Sequence, residues 1–203
     1  MAQGRDKILF YVDEVIPEKQ EELDISDSHY AAVAKANDAW ADLEFEIDRT
    51  IWRLLRTSQP LGACVTSQLI SVFPKLDALR ALVEYLNFGD NVKKPLKSFH
   101  GKISKLVSRR NRMIHDKRMI KYWSKEVVRF SVSAKSELQF APQVETEDEL
   151  LKFCDTILGH VDEFEIIKRQ IYEDAPGQHA KLIGRSHSIR EDWDHPTDRP
   201  DFP

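Results

Sequence analysis

The sequence predicts a mainly α-helical fold: an antiparallel bundle of about five helices, with a small β-hairpin inserted before the last one. Three observations carry this. Apolar residues recur at steps of three and four over long stretches, the signature of one buried helix face. A capping box, Thr146-Glu147-Asp148-Glu149, opens the last of those stretches. The only segments that read as strands, Val127–Val132 and Glu137–Phe140, are short and adjacent.

Residues 1 to about 25 hold the apolar run Ile8-Leu9-Phe10-Tyr11-Val12, then turn acidic, and read as an N-terminal arm. Ser26 or Asp27 can cap a first long helix, whose stripe runs through Val33, Ala36, Trp40, Leu43, Ile47, Ile51, Leu54 and Leu55. Pro60 suits the first turn of a second helix reaching about Phe73, and Pro74 opens a third with Leu76, Leu79, Leu82, Val83 and Leu86 on one side. Phe88-Gly89-Asp90-Asn91 is a stop and turn. A fourth helix starts near Lys93, turns Leu96, Phe99, Ile103, Leu106, Val107 and Ile114 inward, and ends near Lys117. The hairpin, at about residues 126–141, follows. The last helix uses Leu150, Phe153, Ile157, Val161, Phe164, Ile167 and Ile171. Residues 174–203, with Pro176, Gly177, Gly184, Pro196, Pro200 and Pro203 among charges, read as a mostly disordered tail. The helical domain is therefore residues 26–173.

At 203 residues the chain fits one domain with a real core. Its net charge of −4 excludes generic nucleic-acid binding and leaves only a local basic patch for that role. Such a patch exists on the fourth helix: Lys93, Lys94, Lys97, Lys102, Lys105, Arg109 and Arg112, which also reads as an ordinary solvated face. The two cysteines, Cys64 and Cys154, fall in helical patterns and read as buried small apolar residues in a reduced compartment. There is no apolar run long enough to span a membrane, so no membrane association and a cytoplasmic location are expected. No Gly-rich phosphate loop, zinc-spaced Cys/His set or nucleophile elbow occurs, and neither a metal nor a cofactor is expected.

The fourth helix carries an anomaly. At about 100° per residue, Arg110 falls on the stripe of Leu96, Phe99, Ile103, Leu106 and Ile114, while His100, Asn111 and His115 lie along its margin. An inward arginine is costly unless paired or wet. On the first helix Glu44 shares a face with Trp40, Ile47 and Ile51, with Asn37 and Asp48 at its margin. A Glu44–Arg110 pair across the core or at a subunit seam is the simplest resolution. Two readings follow. In one, that pair is architectural and His115 marks a helix end. In the other, His115 is a general acid or base, Arg110 binds phosphate and Asn111 orients His115 or the substrate. Trp40 and Trp52 read as core or seam residues, His100 as a margin residue, and Tyr122 and Trp123 as cleft wall or turn anchor.

Arg110-Asn111-x-x-x-His115 resembles the R-x4–6-H signature of the HEPN superfamily (higher eukaryotes and prokaryotes nucleotide-binding domain), in which a polar residue usually follows the Arg. Trp40-Ala41-Asp42-Leu43-Glu44 is similar to the tryptophan-plus-acid helix of some HEPN-like bacterial proteins, and the resemblance covers roughly residues 28–172. Arg190 and His195 also satisfy the spacing, but in a segment without a helical stripe. The resemblance implies a homodimer whose motif helices meet at a composite cleft, and a metal-independent endoribonuclease in which the RNA 2′-hydroxyl attacks the adjacent phosphate to leave a cyclic end. Arg110, Asn111 and His115 would be catalytic, Glu44 and Asp48 supporting, and Lys105, Arg109 and Arg112 in contact with RNA. A toxin or stress role, with an antitoxin or nucleotidyltransferase partner, also follows from it. The alternative is a non-catalytic helical module that binds a partner protein or nucleotide.

Overall fold

The computed structural model describes residues 24–121, 124–134 and 138–193. In chain order these form α1 (Asp27–Leu54), α2 (Gln59–Thr66), α3 (Val72–Tyr85), α4 (Asp90–His115), β1 (Lys117–Ile120), β2 (Val127–Ala134), β3 (Leu138–Val144) and α5 (Glu147–Trp193). The fold is mainly helical, with a small antiparallel sheet before the last helix, as the sequence pattern predicts. The N-terminal arm lies almost wholly outside the described residues, as do Tyr122 and Trp123.

The central element is α1. Ser26 caps it, accepting from the His29 backbone N–H at 3.2 Å. Its stripe of Ala36, Trp40, Leu43, Ile47 and Ile51 is buried against the other helices. It ends in a left-handed residue that is not glycine: Arg56 has φ 52°, its N–H bonds Arg53 O, and the next N–H, of Thr57, bonds Trp52 O. The same motif closes α3, where Asn87 has φ 56°, its N–H bonds Glu84 O, and Phe88 N–H bonds Val83 O. Phe88 and Val83 are both buried, which supplies the apolar contact that accompanies such a cap.

Helix α2 is shorter than predicted, stopping at Thr66 rather than near Phe73. The chain turns at Ser71 with φ 82° before α3 begins at Val72, two residues ahead of Pro74. Gly62 lets α2 lie against α1, because the indole of Trp52 fills the space beside it and donates to Thr66 Oγ1 at 3.1 Å. Both tryptophans on α1, Trp40 and Trp52, are core residues, and Cys154 is buried; Cys64, on this short helix, is exposed instead, contrary to expectation.

Side-chain pairs fix the helix directions. Ser28 bonds Glu147, Lys168 bonds Glu46, and Arg53 stacks on Tyr172, so α1 and α5 run parallel. Asn91 bonds Asp174, Lys102 bonds Glu163, and Arg109 bonds the Glu149 carbonyl, so α4 runs antiparallel to α5. Lys93–Glu84 and His100–Asp77 make α3 and α4 antiparallel too.

The strand region holds one strand more than predicted. β1 pairs with β2, and β2 pairs with β3. The capping box forms as read: Glu149 N–H donates to Thr146 Oγ1 at 3.2 Å and Thr146 N–H donates to Glu149 at 3.3 Å. The last helix does not stop near Glu173 but continues to Trp193, through Pro176 and Gly177. Ile167, Ile171 and Ala175 are buried, so the apolar stripe reaches the residue before Pro176.

A methyl group added at Gly62 would stand 2.4 Å from Trp52 Cγ and Cδ1. The Gly62→Ala variant should therefore lose about 1–3 kcal/mol, the usual cost of overpacking. Urea unfolding measures this, and an unchanged midpoint would refute the close packing.

Candidate functional site

The end of α4 is organised by Glu145. In the register of the sheet Arg118 stands opposite Arg129, and Arg129 stands opposite Gln143. Two arginines side by side on neighbouring strands repel unless an anion lies between them. Glu145, just beyond β3 and 7% exposed, supplies it. Arg118 Nε donates to Glu145 at 2.5 Å and Arg129 donates at 3.1 Å. His29 Nε2, itself buried, lies 3.2 Å from the same carboxylate. Arg118 also donates to Met113 O at 2.7 Å, satisfying one of the carbonyls left open in the last turn of α4. Arg129 also donates to Gln143 at 2.9 Å, and its Nε lies 3.6 Å from Asp116, the C-cap of α4. One carboxylate thus ties together the start of α1, the end of α4, two strands and the approach to α5.

Against this hub lies a cavity of about 550 Å³. Lys105, Arg109 and Arg112 come from α4, Arg129 and Gln143 from the sheet, and Glu149 from α5. Buried Met113, Leu150 and Phe153 stand behind them. Arg109 is fixed: its guanidinium sits 4.5 Å from the centre of the Phe153 ring and donates to the Glu149 carbonyl at 3.0 Å. Arg129 is fixed by Glu145. Lys105 and Arg112 are exposed and make no ion pair among the described residues.

The basic face predicted for α4 therefore divides. Lys93, Lys94 and Lys102 are occupied by Glu84, Asp90 and Glu163. Lys105, Arg109 and Arg112, the three assigned to RNA, converge on one cavity.

Arg110 lies where the stripe puts it but with a different partner. Its guanidinium is 5.9 Å from the Trp40 ring centre and donates to Asn111 Oδ1 at 3.3 Å. The long side chain crosses the aromatic ring and is half-buried, with its Nε enclosed and without a hydrogen-bond partner among the described residues. The predicted Glu44–Arg110 pair does not form within the chain. Glu44 accepts from Trp40 Nε1 at 2.7 Å and faces Lys75, which donates to Asp48 at 2.8 Å and to Glu44 at 3.5 Å. Glu44 and Asp48 thus belong to a separate cluster around buried Lys75. Burial pushes the Asp48 carboxyl above its ordinary range, Lys75 opposes this, and the Glu44 charge adds to the rise. Asn111 and His115 are exposed, His115 in the last turn of α4. His100 leans on Phe73 and Asp77 of α3, away from the cavity.

Glu145, Arg118, Arg129 and His29 were not singled out by sequence. Lys75 had a readable signal: with Leu79, Leu82 and Leu86 it lies on the apolar stripe of α3. No group of acidic, histidine or cysteine side chains among the described residues could hold a metal ion, and none of the described helices is long and apolar enough to cross a membrane.

Removing the Glu145 carboxylate leaves buried charge uncompensated, so Glu145→Ala should cost about 3–5 kcal/mol. A loss under 1 kcal/mol in chemical denaturation, roughly that of an exposed pair, would contradict the hub. Asp48 gives a pH test. A carboxyl raised in the fold contributes stability that is complete below its ordinary pKa and lost as pH rises through the raised value. Asp48→Asn lacks that loss, so its stability relative to the parent should climb with pH across the acid range. A difference that stays flat would show that Asp48 does not titrate this way. Comparisons with family models, curated proteins and solved structures found no match.

Proposed function

We propose that the chain is a HEPN-like, metal-independent endoribonuclease that acts as a homodimer in the cytoplasm. The observation that carries the reading is the convergence of Lys105, Arg109 and Arg112 on one cavity, on the turns of α4 that bear Arg110, Asn111 and His115. These cations give an otherwise acidic protein a local attraction for phosphate near the end of α4, although Arg110, Asn111 and His115 do not line the cavity itself.

In this reading two copies bring their α4 ends together around one RNA strand. One His115 takes the proton of a 2′-hydroxyl, whose oxygen attacks the adjacent phosphorus. The bond to the 5′-oxygen breaks, and the other His115 returns a proton to that oxygen. The products are a cyclic phosphate and a 5′-hydroxyl, with no metal consumed. Arg110 supplies positive charge to the crowded phosphate and Asn111 orients it. His115 is exposed at the end of α4, so this mechanism requires the second copy to shelter it from water. A toxin or stress role, held in check by an antitoxin or nucleotidyltransferase partner, is part of the same proposal.

A second reading is favoured by one observation. Arg110 is already engaged within its own chain, over Trp40 and on Asn111. That suits a binding module for a nucleotide or a partner, in which the arginine is architectural.

One pair of variants separates the two. His115→Ala should lower RNA cleavage by about 10²–10⁴-fold, the usual contribution of a general acid or base, with the fold and the dimer kept. Unaltered cleavage removes His115 from the mechanism, and no cleavage by the parent favours the binding module. Arg110→Lys keeps the charge, so folded protein with cleavage lost supports a phosphate role, whereas a large fall in unfolding midpoint supports an architectural one.

A further inference from the structure

We infer that the cavity between α4, the sheet and the start of α5 is a site for a terminal phosphate monoester carried by a nucleotide. This deepens the RNA reading and rests on it for the ligand class, but not on cleavage.

The inference starts from charge. Lys105, Arg109, Arg112 and Arg129 face the cavity against two carboxylates, Glu145 and Glu149. Four cations against two anions leave two positive charges in excess. Neither carboxylate faces the cavity unengaged. Glu145 is held by Arg118, Arg129 and His29, and Glu149 turns back to accept from Thr146 N–H. The neighbouring Asp116 and Arg118 cancel each other. A phosphate monoester carries a charge of about −1.5 to −2 at neutral pH, which matches this excess; an internal phosphodiester carries only one negative charge.

The arrangement of the cations points the same way. Arg109 and Arg129 are immobilised, one by an aromatic ring and a carbonyl, the other by a buried carboxylate. They form walls that need no ordering when a ligand enters. Lys105 and Arg112, one on each side of Ser108, make no ion pair among the described residues and can close on the anion. The cavity volume of about 550 Å³ lies in the range that takes a whole small ligand and exceeds what a bare phosphate needs. Gln143 and Ser108 supply neutral hydrogen-bonding groups for the attached nucleoside.

The test uses the full chain and short single-stranded DNA, which has no 2′-hydroxyl and so is not cleaved by the proposed chemistry. Fluorescence anisotropy compares one labelled oligonucleotide with and without a 5′-phosphate. The phosphorylated form should bind roughly tenfold or more tightly, as two charge-assisted contacts require. Lys105→Ala and Arg112→Ala, both at exposed positions, should each erase most of that preference with unchanged circular dichroism. Lys97→Ala, an exposed cation elsewhere on α4, should leave it intact. Adenosine monophosphate that displaces the phosphorylated oligonucleotide identifies a free nucleotide as a ligand of the same site; binding of the oligonucleotide without displacement identifies a nucleic-acid end. Equal affinity for the two oligonucleotides overturns the inference, as does a preference that survives in the Lys105→Ala/Arg112→Ala double variant. Cleavage of RNA, assayed separately with His115→Ala, can fail or succeed independently of these outcomes.

Discussion

Glu145 is the constraint on which the rest of the structure depends. Two arginines meet across adjacent strands and a histidine is buried in the first turn of a helix; one carboxylate answers these, and Arg118, which it holds, donates to an open carbonyl at the end of another helix. Buried ion pairs are weak sources of net stability, since desolvation offsets much of the attraction. Their stronger effect is on specificity. A register slip between β1 and β2 would separate Arg118 from Arg129 and take one of the two arginines away from Glu145. The hub therefore selects one way of attaching a small sheet to a helical bundle. The cavity inherits its geometry from that choice, because Arg129 is both a member of the hub and a wall of the recess.

Most of the fold was legible because long helices repeat their signal. The α5 stripe from Leu150 to Ile171 is buried nearly residue for residue, and the capping box sets its start. Two local rules were overridden. Pro176 and Gly177 sit inside α5 against their intrinsic preference to stop a helix, directly after buried Ile171 and Ala175. The four residues of β1 follow a helix end directly, too short a run for an alternating pattern to stand out, and they become a strand only because β2 offers an edge.

The candidate site was legible in part. The basic side of α4 and the anomalous place of Arg110 were both visible from angular position alone. The partner of Arg110 was not, because opposite charges on two apolar faces say nothing about their height along the bundle. Lys75 reaches Glu44 and Asp48 first, and Arg110 settles on Trp40 one helical turn from Glu44. Glu145 was hidden for a different reason. A single glutamate between a strand and a capping box looks like any loop residue, and only the pairing of Arg118 with Arg129 gives it a role.

The parallel pairing of α1 with α5 has a consequence for how the protein is made. The contacts between these helices join residues 119 to 122 apart in sequence. Closing so long a loop precedes most of the stabilisation it brings, which slows folding relative to a bundle of successive hairpins. On the ribosome α1 emerges before α5, so the apolar face it gives to α5 stays uncovered until that helix has been synthesised. While the elements between them are made, the nascent chain carries its central helix half-clothed, the state in which aggregation competes with folding and chaperones are recruited.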